Sequence, residues 1–281
     1  MKKLIFSVLI ISLIIPVSAQ QAYISNNLEK KWESTSELKV PESVLYDAER
    51  QVIYVSNVTG SPTDKDGTGF LSRLSPDGKI EVLEWVTGLN APKGMGIYGN
   101  FLYVSDITRV VKIDIASGKI AETLEIPGSS FLNDITVDDQ GNVYISDSNG
   151  NAIYVIRNGK SELLIKSAQI NGVNGLFFKD GSLLAGIQDR IVKINPVNKE
   201  IRDYILNTGG IDGLVPDGNG NYLISDWLGN VHLVHPDKAK VKLLDTTPVN
   251  ANAADIEYII ERKLLLVPTF SNNRVVAYEL K

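Results

Sequence analysis

The chain has 281 residues, with 28 Lys and Arg against 33 Asp and Glu for a net charge of −5. Its 43 % apolar and 22 % charged content excludes a disordered or collagen-like protein. The acidic balance denies it the basic footprint that nucleic acid requires. The absence of cysteine rules out a disulfide framework, a thiolate zinc site, an iron–sulfur cluster and a cysteine nucleophile, and two histidines, His232 and His235, are too few for a three-histidine zinc site.

At the N-terminus, Lys2 and Lys3 precede an apolar run from Leu4 to Ile15, followed by Pro16 and the small-residue pattern Val17-Ser18-Ala19. This is the pattern of an export signal cleaved after Ala19. The run falls short of the roughly 20 residues that span a bilayer, with an uncleaved anchor as the alternative. No cysteine follows for lipid attachment. Residues 1–19 therefore read as a signal peptide, and the mature protein as periplasmic or secreted, with no membrane attachment after cleavage.

From residue 42 onward one short pattern recurs: Ile53-Tyr54-Val55-Ser56-Asn57, Leu102-Tyr103-Val104-Ser105-Asp106, Val143-Tyr144-Ile145-Ser146-Asp147 and Tyr222-Leu223-Ile224-Ser225-Asp226. Weaker copies are Leu183–Ile187 and Leu265–Thr269. Each is a β-branched and aromatic run preceded by a turn such as Asp139-Gln140-Gly141-Asn142 or Asp217-Gly218-Asn219-Gly220. Third strands follow, as in Val110–Asp114, Ile191–Asn195 and Val275–Glu279, and fourth strands such as Ile80–Leu83 and Val241–Leu244. Four antiparallel strands per roughly 40–50 residues is the signature of a propeller blade. Six such units fit between Glu42 and Lys281, but the last has only three strands. A bare edge invites aggregation, so the segment Trp32–Val40 is expected to supply the missing strand. The fold class is all-β: a six-bladed β-propeller over residues 42–281, closed by a strand from the segment 20–41.

In a propeller the innermost strands start at one end of the central channel. Aligned on their first hairpin turns, the six units place Glu42, Gly94, Asn133, Asn174, Asp212 and Asp255 at that start. Five of the six carry a side-chain oxygen. Oxygen donors without His or Cys describe a hard-cation site, with turn-forming residues as the plainer reading. A second series, Asn57, Asp106, Asp147 and Asp226, ends the second strands on the same face; turn chemistry accounts for it, with a substrate-facing rim as the alternative. The loop Val58–Gly69 of the first unit lies on that face and is expected to act as a lid or specificity loop.

Glu42 in Val40-Pro41-Glu42-Ser43-Val44, the pair Asn133-Asp134, Asn174-Gly175 and Asp212-Gly213 together resemble the motifs of the gluconolactonase/senescence-marker (regucalcin-like) family. The resemblance runs from about Val40 to the C-terminus. It implies a six-bladed propeller that hydrolyses a sugar lactone or related ester with a divalent metal. Glu42, Asn174 and Asp212 would be the metal ligands, Asn133 a substrate contact, Asp212 also the catalytic base, and Asp255 an extra acidic group near the axis. Calcium is the first choice of cation, with manganese, magnesium and zinc as alternatives, and the partner is a small-molecule substrate. Phe131 stands where lactonases of this family commonly carry Arg, two residues before the Asn-Asp pair, which implies a less polar substrate. The rival reading is a non-catalytic propeller that binds a ligand or protein with a structural metal.

Other motifs carry less. Gly94-Met95-Gly96-Ile97-Tyr98-Gly99 matches a dinucleotide fingerprint without the βαβ context it needs. Asp64-Lys65-Asp66-Gly67 opens like a calcium loop but lacks the closing Glu. Asn57-Val58-Thr59 is a glycosylation sequon.

Overall fold

The computed structural model describes residues 21–281. The export signal read over residues 1–19 lies outside the described residues. Two strands precede the propeller: β1 (Tyr23–Ile24) and β2 (Leu28–Glu33). Blade 1 is β3 (Pro41–Asp47), β4 (Val52–Asn57), β5 (Gly69–Leu74) and β6 (Ile80–Leu89), and blade 2 is β7 (Pro92–Tyr98), β8 (Phe101–Asp106), β9 (Arg109–Asp114) and β10 (Lys119–Glu125). Blade 3 is β11 (Leu132–Val137), β12 (Val143–Asp147), β13 (Ala152–Arg157) and β14 (Lys160–Lys166), and blade 4 is β15 (Leu176–Lys179), β16 (Ser182–Gly186), β17 (Arg190–Ile194) and β18 (Ile201–Leu206). Blade 5 is β19 (Leu214–Pro216), β20 (Tyr222–Ser225), β21 (Asn230–His235) and β22 (Lys238–Asp245); blade 6 is β23 (Glu257–Ile259), β24 (Leu264–Pro268) and β25 (Val275–Leu280). Among the described residues no helix is long and apolar enough to cross a membrane.

The six innermost strands, β3, β7, β11, β15, β19 and β23, pack side by side in a ring, and β23 returns to β3. Backbone bonds seal this seam: Asp255 N donates to Glu42 O at 2.9 Å and Val44 N to Asp255 O at 3.4 Å. At the outside, β2 pairs antiparallel with β25 and completes blade 6, while β1 pairs with β22 on blade 5. The N-terminal segment thus clasps two blades. The closing strand is Leu28–Glu33, upstream of the expected Trp32–Val40, because residues 34–40 are needed to carry the chain from the rim to the axis. Lys39 N and Val40 N are held on that path by the side chains of Asn57 and Asn273.

The recurring serine of the sequence pattern has a defined task. Inner strands of blades 1, 2 and 3 lose their regular pairing just after their first residues, with register shifts between Pro41 and Val44, Pro92 and Met95, and Leu132 and Ile135. Such bulges re-aim a side chain but leave backbone groups unpaired. The second-strand hydroxyls take them up: Ser56 Oγ accepts from Ser43 N at 3.0 Å, Ser146 Oγ from Asp134 N at 2.9 Å, and Ser225 Oγ from Gly213 N at 2.8 Å in blade 5. Ser225 Oγ also donates to Ala254 O of the next blade at 2.6 Å, and Ser105 Oγ donates to Asn133 O in the same way.

Between blades the core is built from the β-branched and aromatic faces of neighbouring sheets, with Leu102, Val104, Val111, Tyr54 and Leu71 buried where blades 1 and 2 meet. Tyr54 stacks on Trp85 at 5.0 Å and Tyr144 on Phe178 at 5.4 Å. Trp32 of the closing strand packs on the core shared by blades 6 and 1, and its ring lies over Gly78, which sits at φ 82°. A Cβ there would stand 2.3 Å from the ring, so only glycine serves both the turn and the contact. Trp32→Ala is expected to lower unfolding free energy by about 2 kcal/mol, read as a lower denaturant midpoint at unchanged slope.

Candidate functional site

The inner-strand starts place their residues in two layers of the axial channel. Glu42 (on β3), Asn133 (on β11), Asn174 (ahead of β15) and Asp212 (ahead of β19) line a cavity of about 720 Å³ at one end. Phe131 lines it too, so every residue expected to bind metal or substrate or to act as base reaches one site. Asn174 Nδ2 donates to Asp212 Oδ1 at 2.6 Å. Asn133 Nδ2 donates to Ser148 Oγ at 3.3 Å.

Asp255 shares the register but not the layer. Its carboxylate accepts from Ser43 Oγ at 2.5 Å, and it lines a second cavity of about 310 Å³ further along the channel, with Asp134 and Glu257. The inter-strand bridge between Ser43 and Asp255 at the seam draws it there. The Asn133-Asp134 pair is likewise split. Asn133 faces the upper cavity, whereas Asp134 Oδ2 accepts from Leu176 N of the next blade at 2.6 Å and joins blade 3 to blade 4.

The electrostatics follow from burial. Glu42 is 5 % exposed, and its carboxyl is pushed well above the usual range by desolvation and then by the Asp212 carboxylate, against the pull of Lys93. Asp212 rises to about 7, driven by desolvation and opposed by the Asn174 hydrogen bond. Lys93 was not foreseen from the sequence. It lies one residue before the axial Gly94 and is 1 % exposed. Its Nζ donates to Ala91 O at 2.9 Å and Pro62 O at 3.1 Å, and lies 4.5 Å from the Phe131 ring centroid. Desolvation lowers its pKa, with Glu42 opposing. The available signal was position: both faces of an inner propeller strand are covered, so a lysine there must be buried and satisfied.

The donor set fits a hard cation. Glu42 Oε2 is buried without a hydrogen-bond partner, and Lys93 spends two of its donors on backbone carbonyls rather than on that oxygen. Glu42, Asn174 and Asp212 offer only oxygens toward a cation, as calcium, magnesium or manganese prefer. Among the described residues no group of three or more His, Cys, Asp or Glu is arranged to hold a metal, so a cation here needs the Asn174 amide as well.

The loop between β4 and β5 reaches over the cavity, as expected, and contributes Pro62. The second acidic series proves to be turn chemistry. Asp106 accepts from Asn90 N and Ala91 N, Asp147 from Ser130 N and Phe131 N, and Asp226 from Gly229 N and Asn230 N. Of these carboxylates only Asp226 borders the cavity. Asn57 of the sequon is fully buried, bonding Lys39 N, Val55 O and Ser72 Oγ, so its amide is closed to a glycan in the folded protein. The glycine run at 94–99 serves strand packing: a Cβ on Gly94 would stand 2.5 Å from Asp134 Cα. Asp66 caps Thr68 within its own loop, and neither histidine borders the cavity. Trp227, Leu228 and Phe270, also unforeseen, complete the wall from loops on the same face.

No protein-family model matches the chain. No curated protein sequence matches it either. Its fold is similar to that of a gluconolactonase from Xanthomonas campestris, with 14 % identity and a TM-score of 0.70 over 90 % of this chain and 89 % of that one. It is also similar to a streptogramin B lyase, at 15 % identity and a TM-score of 0.65 over 94 % of this chain and 100 % of that one. The WD40 propeller domain of Doa1 is similar at 12 % identity and a TM-score of 0.62, over 85 % of this chain and 78 % of that one. At these identities the likeness is one of fold, and function has to be argued from the site.

Lys93→Met removes the hydrogen bond that ties Pro62 O of the loop to blade 2, together with the one to Ala91 O. It is expected to cost about 1–3 kcal/mol, and limited proteolysis should cut faster within residues 58–68 while the rest of the ring stays resistant.

Proposed function

We propose that the chain is a divalent-metal-dependent hydrolase of a lactone or related ester, of the gluconolactonase (regucalcin-like) kind, working in the periplasm or as a secreted protein after removal of residues 1–19. The observation that carries this reading is the convergence of Glu42, Asn133, Asn174 and Asp212 on one cavity, with Glu42 Oε2 buried and unpartnered. These are the residues that the sequence resemblance assigns to metal and substrate.

Glu42, Asn174 and Asp212 would hold the cation, calcium first. A bound divalent cation supplies Lewis acidity toward a carbonyl and a water of lowered pKa. Asp212 Oδ1 is oriented by Asn174; Oδ2, with no hydrogen bond of its own among the described residues, takes the proton of the attacking water. Asn133 is steadied by Ser148 and presents its amide to a polar group of the substrate. Phe131, where the family commonly has Arg, offers a ring face in place of hydrogen-bond donors, which turns selectivity away from heavily hydroxylated substrates. Pro62, Trp227 and Phe270 shelter the cavity from water.

The test is acid release from a lactone panel by the protein from residue 20 onward, with calcium, with manganese and with chelator. Turnover is expected with cation and lost with chelator. Asp212→Asn should reduce kcat about 10²–10⁴-fold without lowering Tm, since it removes a carboxylate that burial disfavours. Absence of turnover with every cation on folded protein would reassign the cavity to ligand binding. Independently of activity, calcium or manganese at about 100 times its Kd should stabilise the wild-type protein by about 2.7 kcal/mol, and Glu42→Gln should abolish that gain.

A further inference from the structure

The cavity has two chemically distinct halves. Its floor holds Glu42, Asn133, Asn174 and Asp212, and its upper wall is apolar, made chiefly by Phe131, Ile211, Trp227, Leu228 and Phe270. A volume of about 720 Å³ belongs to the range that encloses drug-sized ligands, more than a lone lactone ring fills. At the mouth Trp227 is 48 % exposed and Leu228 65 % exposed, among the largest uncovered apolar side chains of the described residues.

This wall is built rather than incidental. Trp227 and Phe270 come from blades 5 and 6 and meet edge to face at 5.5 Å and 74°. One side chain spans their two segments: Asn252 Nδ2 donates to Trp227 O at 2.8 Å, and Asn252 Oδ1 accepts from Ser271 N at 3.3 Å. Phe270 is held at φ 43°, in the left-handed region that a bulky residue rarely adopts. Phe131 closes the opposite side, beneath the Lys93 ammonium. Three ring systems around one opening favour a ring-bearing guest through offset and edge contacts. Around the same cavity the carboxylates of Glu42, Asp212 and Asp226 face the Lys93 ammonium, and the two charges of a bound divalent cation would balance the remainder, so the site calls for a guest without net charge.

We infer that the cavity takes a neutral amphiphile, with its carbonyl head on the polar floor and an aromatic ring against Trp227, Phe270 and Phe131. The substrate class is thus an aryl-fused or aryl-substituted lactone or ester rather than a free sugar lactone. This deepens the hydrolase reading and rests on it for the reactive head alone; the aromatic subsite stands on its own geometry.

The probes are dihydrocarbostyril, the unreactive lactam analogue of dihydrocoumarin, and δ-valerolactam, which keeps the head and lacks the aromatic ring. Trp32 and Trp85 lie outside the cavity, packed on Gly78 and Tyr54, so quenching of indole fluorescence reports Trp227. Dihydrocarbostyril is expected to quench it and to bind about tenfold more tightly than δ-valerolactam. By equilibrium dialysis, Trp227→Leu and, separately, Leu228→Ser should erode that preference at unchanged Tm, both residues being half-exposed or more. Equal affinities, a preference untouched by both variants, or equally tight binding of an alkyl lactone such as γ-decalactone would each overturn the aromatic subsite. Turnover separates the two readings. Aromatic preference in binding, with no hydrolysis of dihydrocoumarin under any cation, keeps the subsite and removes the hydrolase. Hydrolysis of δ-valerolactone and dihydrocoumarin at equal kcat/KM keeps the hydrolase and removes the subsite.

Discussion

Ring closure is the constraint on which everything else in this molecule rests. A propeller has no central element of its own; its axis exists only where six inner strands are held at one radius. Here the closure is made twice. The outer closure is the pairing of Leu28–Glu33 with Val275–Leu280. The inner one is the exchange between the Glu42 and Asp255 segments, where the first and last blades meet. Glu42 is therefore both a seam residue and a site residue: its backbone carbonyl locks the ring while its side chain enters the cavity. Loss of either closure would separate Glu42 from Asp212, which lie in different blades and meet only because the ring is shut.

Concentrating carboxylates at that axis has a cost that the fold meets unevenly. Asp134 is answered by the backbone N–H groups of Ile135 and Leu176, and Asp255 by the Ser43 hydroxyl. These two act as staples between neighbouring blades. In the upper layer the answer is incomplete. Asp212 has Asn174, Lys93 stands near Glu42 without bonding it, and one Glu42 oxygen has nothing. Native proteins seldom leave a buried charge half-satisfied except where a ligand completes the set. Burial pushes the carboxyls of both layers upward, Asp134 and Glu257 to about 7 like Asp212, but among the described residues the buried carboxylate oxygen left without a partner is Glu42 Oε2 of the upper layer. The aromatic wall above that layer makes the cavity two-sided, with polar side chains below and apolar ones above.

Much of this was legible along the chain because propeller structure is local and periodic. Each blade announces itself by alternating β-branched strands and glycine-bearing turns, and the repeat aligns the axial positions without reference to their chemistry. Glu42, Asn133, Asn174 and Asp212 were found that way, and the folded chain brings them to one cavity because one register position in every unit faces one axis. The missing fourth strand of the last unit likewise called for an N-terminal closure, although its register was placed a few residues late, since the length of chain needed to travel from rim to axis is not written in any local pattern.

What only the tertiary structure decided lies in the third dimension that a register lacks. Depth along the channel separated Asp255 from its register-mates, because a bridge formed between the first and last blades turned it toward Ser43. The burial of Lys93 depended on both neighbours of its strand. The wall of Trp227, Phe270 and Phe131 is assembled from loops of three blades, with no shared spacing to betray it. By itself the sequence determined a repeating blade, a ring of six and the identity of the oxygens at its axis, because strand alternation and turn geometry act over a few residues. Which of those oxygens stay unsatisfied, and what apolar surface stands over them, was settled by contacts between residues as much as 212 positions apart, such as Ser43 and Asp255, which exist only once the ring has closed.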